Sequence, residues 1–267
     1  MRTLEHATSE DGTPIAFERL GGGEPVIVVG GALAGRATYH PLAEALSRYC
    51  TVINYDRRGR GDSGDTQPYA VEREIEDLGS LIAEVGGTAS LYGHSSGAGL
   101  VLHAAANALP IDKIVLHDAP FGSGTEAERQ AEQAEAEQIS ALLAQDCRGD
   151  AVKLFLASMG LPPEVTDAAS SDPELLANAP TIRYDPFEVL SERSRGGMTP
   201  AEQASRVSVP TLVLVGGQSP QFMIDAARQI ADALPSGRLQ VLEGQEHVVP
   251  PEVLVPVLVQ FFPSGQP

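Results

Sequence analysis

The sequence predicts an α/β fold with a mostly parallel central sheet that is flanked by helices. Short apolar runs rich in β-branched residues recur between turn residues, as expected for strands that are buried on both faces. Helix-length segments with apolar residues at three- and four-residue spacing separate these runs, and this alternation indicates βαβ units. The alternation stops over residues 122–206, where the chain is helix-like and then Pro-rich. We therefore expect a core of residues 1–121 and 207–267, with a helical insertion at 122–206.

Each element follows from its local pattern. An opening hairpin is expected because residues 4–8 and 15–20 flank the turn residues Glu10, Asp11 and Gly12. Further strands are expected at residues 25–30, 50–55, 89–92, 113–117, 210–215 and 238–242. Helices outside the insertion are expected at residues 41–49, 71–85, 96–109, 221–234 and 251–261. Inside the insertion, residues 125–145 and 150–159 are expected to be helical.

Charge and composition argue against several classes of function. The 267 residues include 36 acidic and 18 basic ones, which gives a net charge of −18. Such a charge argues against binding to nucleic acid, to anionic membranes or to strongly anionic substrates. The first ten residues lack the apolar segment of a secretory signal, and no apolar run has the length of a membrane span. We therefore expect a cytoplasmic protein, as a monomer or a homodimer.

The sequence predicts neither a cofactor nor a metal. The two cysteines, Cys50 and Cys147, lie far apart and outside any metal-binding pattern. The histidines and carboxylates also lack the spacing of metal ligands. Residues 59–64 spell G-x-G-x-x-G after a predicted strand, but loop residues follow where a dinucleotide site needs a helix.

The strongest catalytic signal is at residues 93–97, which read Gly-His-Ser-Ser-Gly and match G-x-S-x-G. This motif directly follows the predicted strand at 89–92 and opens the predicted helix at 96–109. A nucleophilic serine requires this strand–turn–helix setting. The flanking glycines remove Cβ atoms that would clash in a tight turn, and the helix N-terminus favours negative charge beside the serine. These features predict that Ser95 is a nucleophile.

With this motif, the sequence resembles the α/β-hydrolase fold family over about residues 3–262. The resemblance implies that the insertion is a lid over the carboxyl ends of the strands. It also implies that the backbone N–H groups of Ala32 and Ser96 form an oxyanion hole. The family usually carries His where this chain has Gly30, so we expect a looser loop there. Residues 55–63 resemble the family's loop after the next strand, and we expect them to have a structural role.

The resemblance assigns the catalytic base to His247, which lies just after the last predicted strand. The family's acid usually follows the strand at 210–215, but this chain has Gln218 there. Some relatives carry the acid after the preceding strand, where this chain has Asp118. We therefore assign the acid to Asp118, which keeps the order Ser95, Asp118, His247. Two alternatives stay open: Asp118 as a loop or cap residue, and a water-mediated arrangement of His247 with Gln218.

Together these residues predict a serine hydrolase that cleaves a carboxylic ester, lactone or thioester. The substrate is expected to be small and either uncharged or weakly charged. Perhydrolysis, C–C bond hydrolysis or a lyase step on the same triad stays open, as does a non-catalytic binder of small molecules on the same fold. The residues expected to contact the substrate are His94, Phe121, Phe155, Met159 and Tyr184.

Overall fold

An eight-stranded sheet forms the centre of the computed structural model, which describes residues 3–122 and 124–262. Its strands are β1 (Leu4–Thr8), β2 (Pro14–Gly21), β3 (Pro25–Val29), β4 (Thr51–Tyr55), β5 (Ala89–His94), β6 (Ile111–His117), β7 (Thr211–Gly216) and β8 (Gly237–Leu242). They lie in the order β1-β2-β4-β3-β5-β6-β7-β8. β2 is antiparallel to both β1 and β4, and all other neighbours are parallel.

The strand order creates a crevice at one end of the sheet. β3 lies between β4 and β5, so the connection after β3 leads to one side of the sheet. The connection after β5 leads to β6, on the opposite side. Ligands of parallel α/β sheets bind beyond the carboxyl ends of strands at such a reversal. A functional site is therefore expected beside the loops after β3 and β5.

Helices cover both faces of the sheet. The helices of the described chain are α1 (Arg36–Leu46), α2 (Val71–Glu84), α3 (Ser96–Ala106), α4 (Glu126–Ala144), α5 (Arg148–Ser158), α6 (Pro163–Ala169), α7 (Pro173–Asn178), α8 (Pro200–Ala204), α9 (Gln221–Ala233) and α10 (Pro251–Phe261), of which α1, α2, α3, α9 and α10 pack on the sheet. α1 and α10 share one apolar core with Val26 and Val28, whereas α2, α3 and α9 share another with Ile27 and Val29. Because alternate residues of β3 enter different cores, this strand reads as one continuous apolar run. No helix in residues 3–122 and 124–262 is long and apolar enough to cross a membrane.

The chain between β6 and β7 forms a helical insertion that contains α4 to α8. After α7 the backbone tightens into a 3-10 segment, Ala179–Tyr184, and then widens into a π-helical turn, Asp185–Val189. A separate apolar core that includes Leu33, Phe155 and Ile182 packs the insertion against the loop after β3. The insertion is therefore anchored beside the crevice that the strand order creates.

The predicted α/β architecture is confirmed, and the predicted strands all occur, but the start of α1 was wrong. We expected this helix to begin at Pro41, whereas it begins at Arg36. Because proline is typical of a first helical turn, Pro41 suggested a helix start, and the helical residues before it were not predicted. That turn is held from outside, since Asp56 Oδ1 accepts a hydrogen bond from the Arg36 N–H at 2.7 Å.

Candidate active site

Ser95 lies at the tight turn between β5 and α3. Its φ of 57° and ψ of −129° are strained values that only a closely packed turn maintains in a residue other than glycine. A Cβ atom on Gly93 would lie 2.6 Å from the Gly97 oxygen. A Cβ atom on Gly97 would lie 2.3 Å from the Val29 oxygen. Both positions therefore require glycine, and the turn packs directly on the end of β3.

Ser95 lines a cavity of about 350 Å³ between the sheet and the insertion. Phe155 and Met159 lie on the same wall, where we expected them. Phe121 instead lines a neighbouring cavity of about 160 Å³. The ring of Tyr184 stacks on Tyr69 with ring centres 3.8 Å apart, outside the cavity wall. The rings of Phe121 and Tyr184, which we expected to contact the substrate, therefore lie outside the wall of the Ser95 cavity, where packing holds them.

Asp118 follows β6 and is wholly buried. Its Oδ2 lies 3.1 Å from the Nδ1 atom of His247 and accepts a second hydrogen bond from the Ser219 hydroxyl at 2.7 Å. Its Oδ1 accepts the N–H of Gly216 at 3.0 Å. Gln218 is exposed, and its backbone N–H donates to the Gln245 oxygen at 2.8 Å. The carboxylate that supports the His247 imidazole is therefore that of Asp118.

The His247 loop packs against the serine turn through His94. The Nε2 atom of His94 lies 2.9 Å from the backbone oxygen of His247, and the two imidazole rings are 4.6 Å apart. The hydrogen bonds of the described chain include none between the Ser95 hydroxyl and the His247 imidazole. Bonds between a nucleophile and its base are often long before substrate binds. The geometry thus brings the loops of Ser95, Asp118 and His247 together, without a hydrogen bond between the serine hydroxyl and the imidazole in the described part of the chain.

The backbone N–H groups of Ala32 and Ser96, which we expected to form an oxyanion hole, lie close to Ser95. Ser96 is the first residue of α3, so its N–H is one of the first-turn donors that have no partner inside the helix. Ala32 and Ser96 both lie on the wall of the cavity that Ser95 lines. A Cβ atom on Gly31 would lie 3.0 Å from the Ser95 Cβ, so the loop after β3 packs against the serine. Both amides are therefore near the predicted nucleophile.

Tyr39 holds the loop after β3, which we had expected to be loose. Its ring fills the space beside Gly30, where an added Cβ would lie 2.6 Å from Tyr39 Cε2. Its hydroxyl accepts the Gly31 N–H at 2.9 Å and lies 2.9 Å from Nδ1 of His94. The expectation of a looser loop was therefore wrong, because a tyrosine from α1 occupies the space beside the glycine.

The hydrogen bonds fix the tautomer of His94. Its Nε2 must donate, since its partner is the His247 carbonyl, so its Nδ1 accepts from the Tyr39 hydroxyl. Burial lowers the pKa of His94 well below its usual value, and burial raises the pKa of Tyr39 to about 12. Both side chains are therefore neutral near pH 7. His94 braces two loops and lies outside the wall of the Ser95 cavity, whereas we expected it to contact the substrate.

Three residues that hold parts of this site were not predicted from the sequence: Ser219, Tyr39 and Asp185. The sequence does contain a signal for Ser219, because this residue follows Gln218, the position at which the resemblance places the acid. Tyr39 had none, because it reaches His94 across 55 positions of sequence. Asp185 likewise bonds the Ser96 hydroxyl across 89 positions.

We predict that Y39F lowers the free energy of unfolding by about 1–3 kcal/mol, because it leaves two buried groups without a partner. Y55F is the matched control. The Tyr55 hydroxyl is also buried but has no hydrogen-bond partner among the described residues, so its loss should change stability by less than about 0.5 kcal/mol. Urea unfolding at pH 7 measures both changes. Equal effects of the two variants would contradict the role given to the Tyr39 hydroxyl.

Comparison with solved structures supports the assignment of the fold. An alpha/beta hydrolase from Sphaerobacter thermophilus DSM 20745 is 44% identical, with a TM-score of 0.86 over 97% of this chain and 100% of that one. An esterase from Exiguobacterium antarcticum is 21% identical, with a TM-score of 0.74 over 98% of this chain and 99% of that one. At that identity the esterase supports the fold alone.

Sequence comparison identifies the family. The N-formylmaleamate deformylase of Pseudomonas putida is 34% identical over 125 residues, which are 45% of this chain and 47% of that protein. An uncharacterized hydrolase of Bacillus subtilis is 31% identical over 101 residues, or 37% of its length. The chain thus matches less than half the length of these curated relatives. The family profile described as "Alpha/beta hydrolase family" matches residues 26–253. This chain therefore belongs to the alpha/beta hydrolase family.

Proposed function

We propose that the protein is a serine hydrolase that cleaves a carboxylic ester, lactone or thioester through an acyl-enzyme on Ser95. The observation that carries this proposal is the 3.1 Å contact between Asp118 and His247, in a loop that packs against the strained turn of Ser95. A serine that lines a cavity, an imidazole in the loop packed against its turn, and a buried carboxylate that contacts this imidazole are the parts that nucleophilic acyl transfer needs. In this proposal the insertion, residues 122–206, is the lid of that cavity.

The acylation step uses each of these groups once. His247 Nε2 takes the proton of the Ser95 hydroxyl while the serine oxygen bonds to the substrate carbonyl carbon. The carbonyl oxygen becomes an anion that the N–H groups of Ala32 and Ser96 stabilise. Asp118 accepts the His247 Nδ1 proton in a hydrogen bond, which fixes the tautomer and stabilises the imidazolium. His247 then returns its proton to the leaving oxygen or sulfur, and the acyl-enzyme is left on Ser95.

Deacylation repeats this sequence with water. His247 removes a proton from a water molecule, whose oxygen bonds to the acyl carbonyl carbon. The same N–H groups stabilise the second oxyanion. When this intermediate collapses, the Ser95 oxygen leaves and takes the proton from His247. The carboxylic acid product departs, and the original protonation state is restored.

Negative charge on the cavity wall supports an uncharged or weakly charged substrate. Glu128, Glu132 and Glu135 of α4 all line the cavity of Ser95. Burial raises the pKa of Glu132, and the neighbouring glutamates raise it further. Repulsion between these carboxylates explains the second effect, and a substrate carboxylate would meet the same repulsion. The local charge of the cavity therefore has the same sign as the charge of the whole chain.

We predict that 4-nitrophenyl butyrate is hydrolysed with a kcat/KM at least about tenfold above that of 4-nitrophenyl hemisuccinate, which has similar length but carries a carboxylate. E132Q should lower the ratio of the butyrate kcat/KM to the hemisuccinate kcat/KM at pH 8 and low salt. E137Q is the matched control, because it removes the same charge from α4 outside the cavity wall. A hemisuccinate rate equal to the butyrate rate would contradict the proposed substrate class.

We predict that D118N lowers kcat by several hundredfold or more, because the imidazole loses its orienting carboxylate. Q218A should change kcat by less than about threefold, since the Gln218 side chain is exposed. Ester hydrolysis by both variants is compared after thermal unfolding has shown that each is folded. A larger loss in Q218A than in D118N would overturn the assignment of the acid.

A further inference from the structure

The loop after β4 carries arginines that are buried beside the candidate oxyanion hole. Arg57, Arg58 and Arg60 are each at most 1% exposed. Arg60 donates from Nη1 to the Gly31 oxygen at 3.3 Å and from Nε to the Thr181 hydroxyl at 3.1 Å. Its Nη2 pairs with Oδ2 of Asp185, which belongs to the insertion. A buried guanidinium is costly unless it is paired, so these contacts fix its position.

The contact with Gly31 bears directly on the Ala32 amide. The Gly31 carbonyl and the Ala32 N–H belong to one planar trans peptide, in which the two groups point in opposite directions. The Arg60 guanidinium and the Ala34 N–H, which donates to the same oxygen at 3.4 Å, hold the carbonyl and therefore set the direction of the Ala32 N–H. The guanidinium also polarises the peptide, which makes the N–H a stronger donor. Ala32 lines the cavity of Ser95, so the amide held in this way is the candidate oxyanion donor.

Arg57 makes the equivalent contact with the preceding peptide, in which both the carbonyl and the N–H have hydrogen-bond partners in the structure. Its Nη1 donates to the Gly30 oxygen at 3.1 Å. The N–H of that same peptide belongs to Gly31 and donates to the Tyr39 hydroxyl at 2.9 Å. An arginine thus holds the carbonyl while the opposite N–H reaches its partner. In the next peptide, Arg60 occupies the equivalent place on the carbonyl side.

Asp185 connects both arginines to the serine turn. Its Oδ1 accepts from Arg57 Nη1 at 2.6 Å and from the Ser96 hydroxyl at 2.7 Å, while its Oδ2 pairs with Arg60. Glu74 of α2 completes the pairing of Arg57 with contacts of 2.7 and 2.6 Å. The Asp185 carboxylate, which belongs to the insertion, therefore contacts Arg60, which bonds the Gly31 carbonyl next to the Ala32 N–H. It also contacts the side chain of Ser96, the other candidate oxyanion donor.

We propose that Arg60, held by Asp185 of the insertion, is a positioning residue that fixes and polarises the Ala32 N–H as an oxyanion donor. This inference rests on the proposed function of Ser95 as an acyl-transfer nucleophile. It gives Arg60, within the loop of residues 55–63, a role besides packing. It also makes the oxyanion hole depend on the insertion being in place.

The test compares R60K with R58K. Lysine keeps the charge at either position but lacks the fork that bonds several acceptors at once. Arg58 is equally buried in the same loop, but it pairs with Asp77 and Asp11 and makes none of the contacts with Gly30 or Gly31. R58K is therefore a matched control for the cost of replacing a buried arginine.

We expect R60K to lower kcat by about tenfold with KM changed less than about threefold, because an oxyanion donor acts mainly in the transition state. R58K should leave kcat within about twofold. The pH midpoint of kcat should not move in either variant, since the His247 pair is untouched. Infrared spectra of an isotope-labelled cinnamoyl acyl-enzyme should show a carbonyl stretch at higher frequency in R60K, as expected for weaker hydrogen bonds, and an unchanged one in R58K.

The outcomes separate this inference from the proposed function. If the wild-type protein hydrolyses esters but R60K and R58K lose kcat equally, or R60K loses none, Arg60 has no positioning role and the hydrolase proposal stands. If the wild-type protein hydrolyses no ester and forms no acyl-enzyme, both proposals fail. Should R60K not fold, D185N is measured in the same way. It removes the charge that holds Arg60, and the same loss of kcat and the same infrared shift are expected.

Discussion

The site depends on one buried carboxylate. Asp118 has no exposure to solvent, and a carboxylate in such a place is stable only when its oxygens accept hydrogen bonds. Its donors come from different segments: the Gly216 N–H at the end of β7, the Ser219 hydroxyl in the loop that follows, and the His247 imidazole after β8. Satisfying this single group therefore draws the carboxyl ends of three neighbouring strands together. The position of His247 relative to the serine turn follows from that requirement.

A second set of neutral hydrogen bonds joins the two halves of the site. It runs from the Gly31 N–H to the Tyr39 hydroxyl, on to His94, and from His94 to the His247 carbonyl. Each bond has one allowed direction, because the first group can only donate and the last can only accept. The loop that carries the candidate oxyanion donor and the loop that carries the imidazole thus share one support. Loss of the Tyr39 hydroxyl would therefore disturb both loops.

Much of this architecture could be predicted from the sequence, since strands buried on both faces leave continuous apolar runs and the serine turn leaves paired glycines. The contact of Asp118 with His247 could be predicted, because Gln218 occupies the usual position of the acid and some relatives carry the acid after the preceding strand instead. The parts that could not be predicted are contacts between distant segments. Arg60 reaches Asp185 across 125 positions, and nothing local distinguishes that arginine from Arg58 two residues earlier. The start of α1 was hidden for a related reason, because its first turn is held by Asp56 from another loop.

Acyl transfer requires that the Ser95 hydroxyl be an activated nucleophile. To examine this, the folded protein is incubated with a fluorophosphonate, which bonds to an activated serine oxygen as fluoride leaves, and the adduct is mapped by peptide mass spectrometry. We predict one adduct, on the peptide that contains Ser95, which is absent from S95A and from protein unfolded in urea. An unlabelled folded protein, or an adduct on another residue, would contradict the proposed role of Ser95.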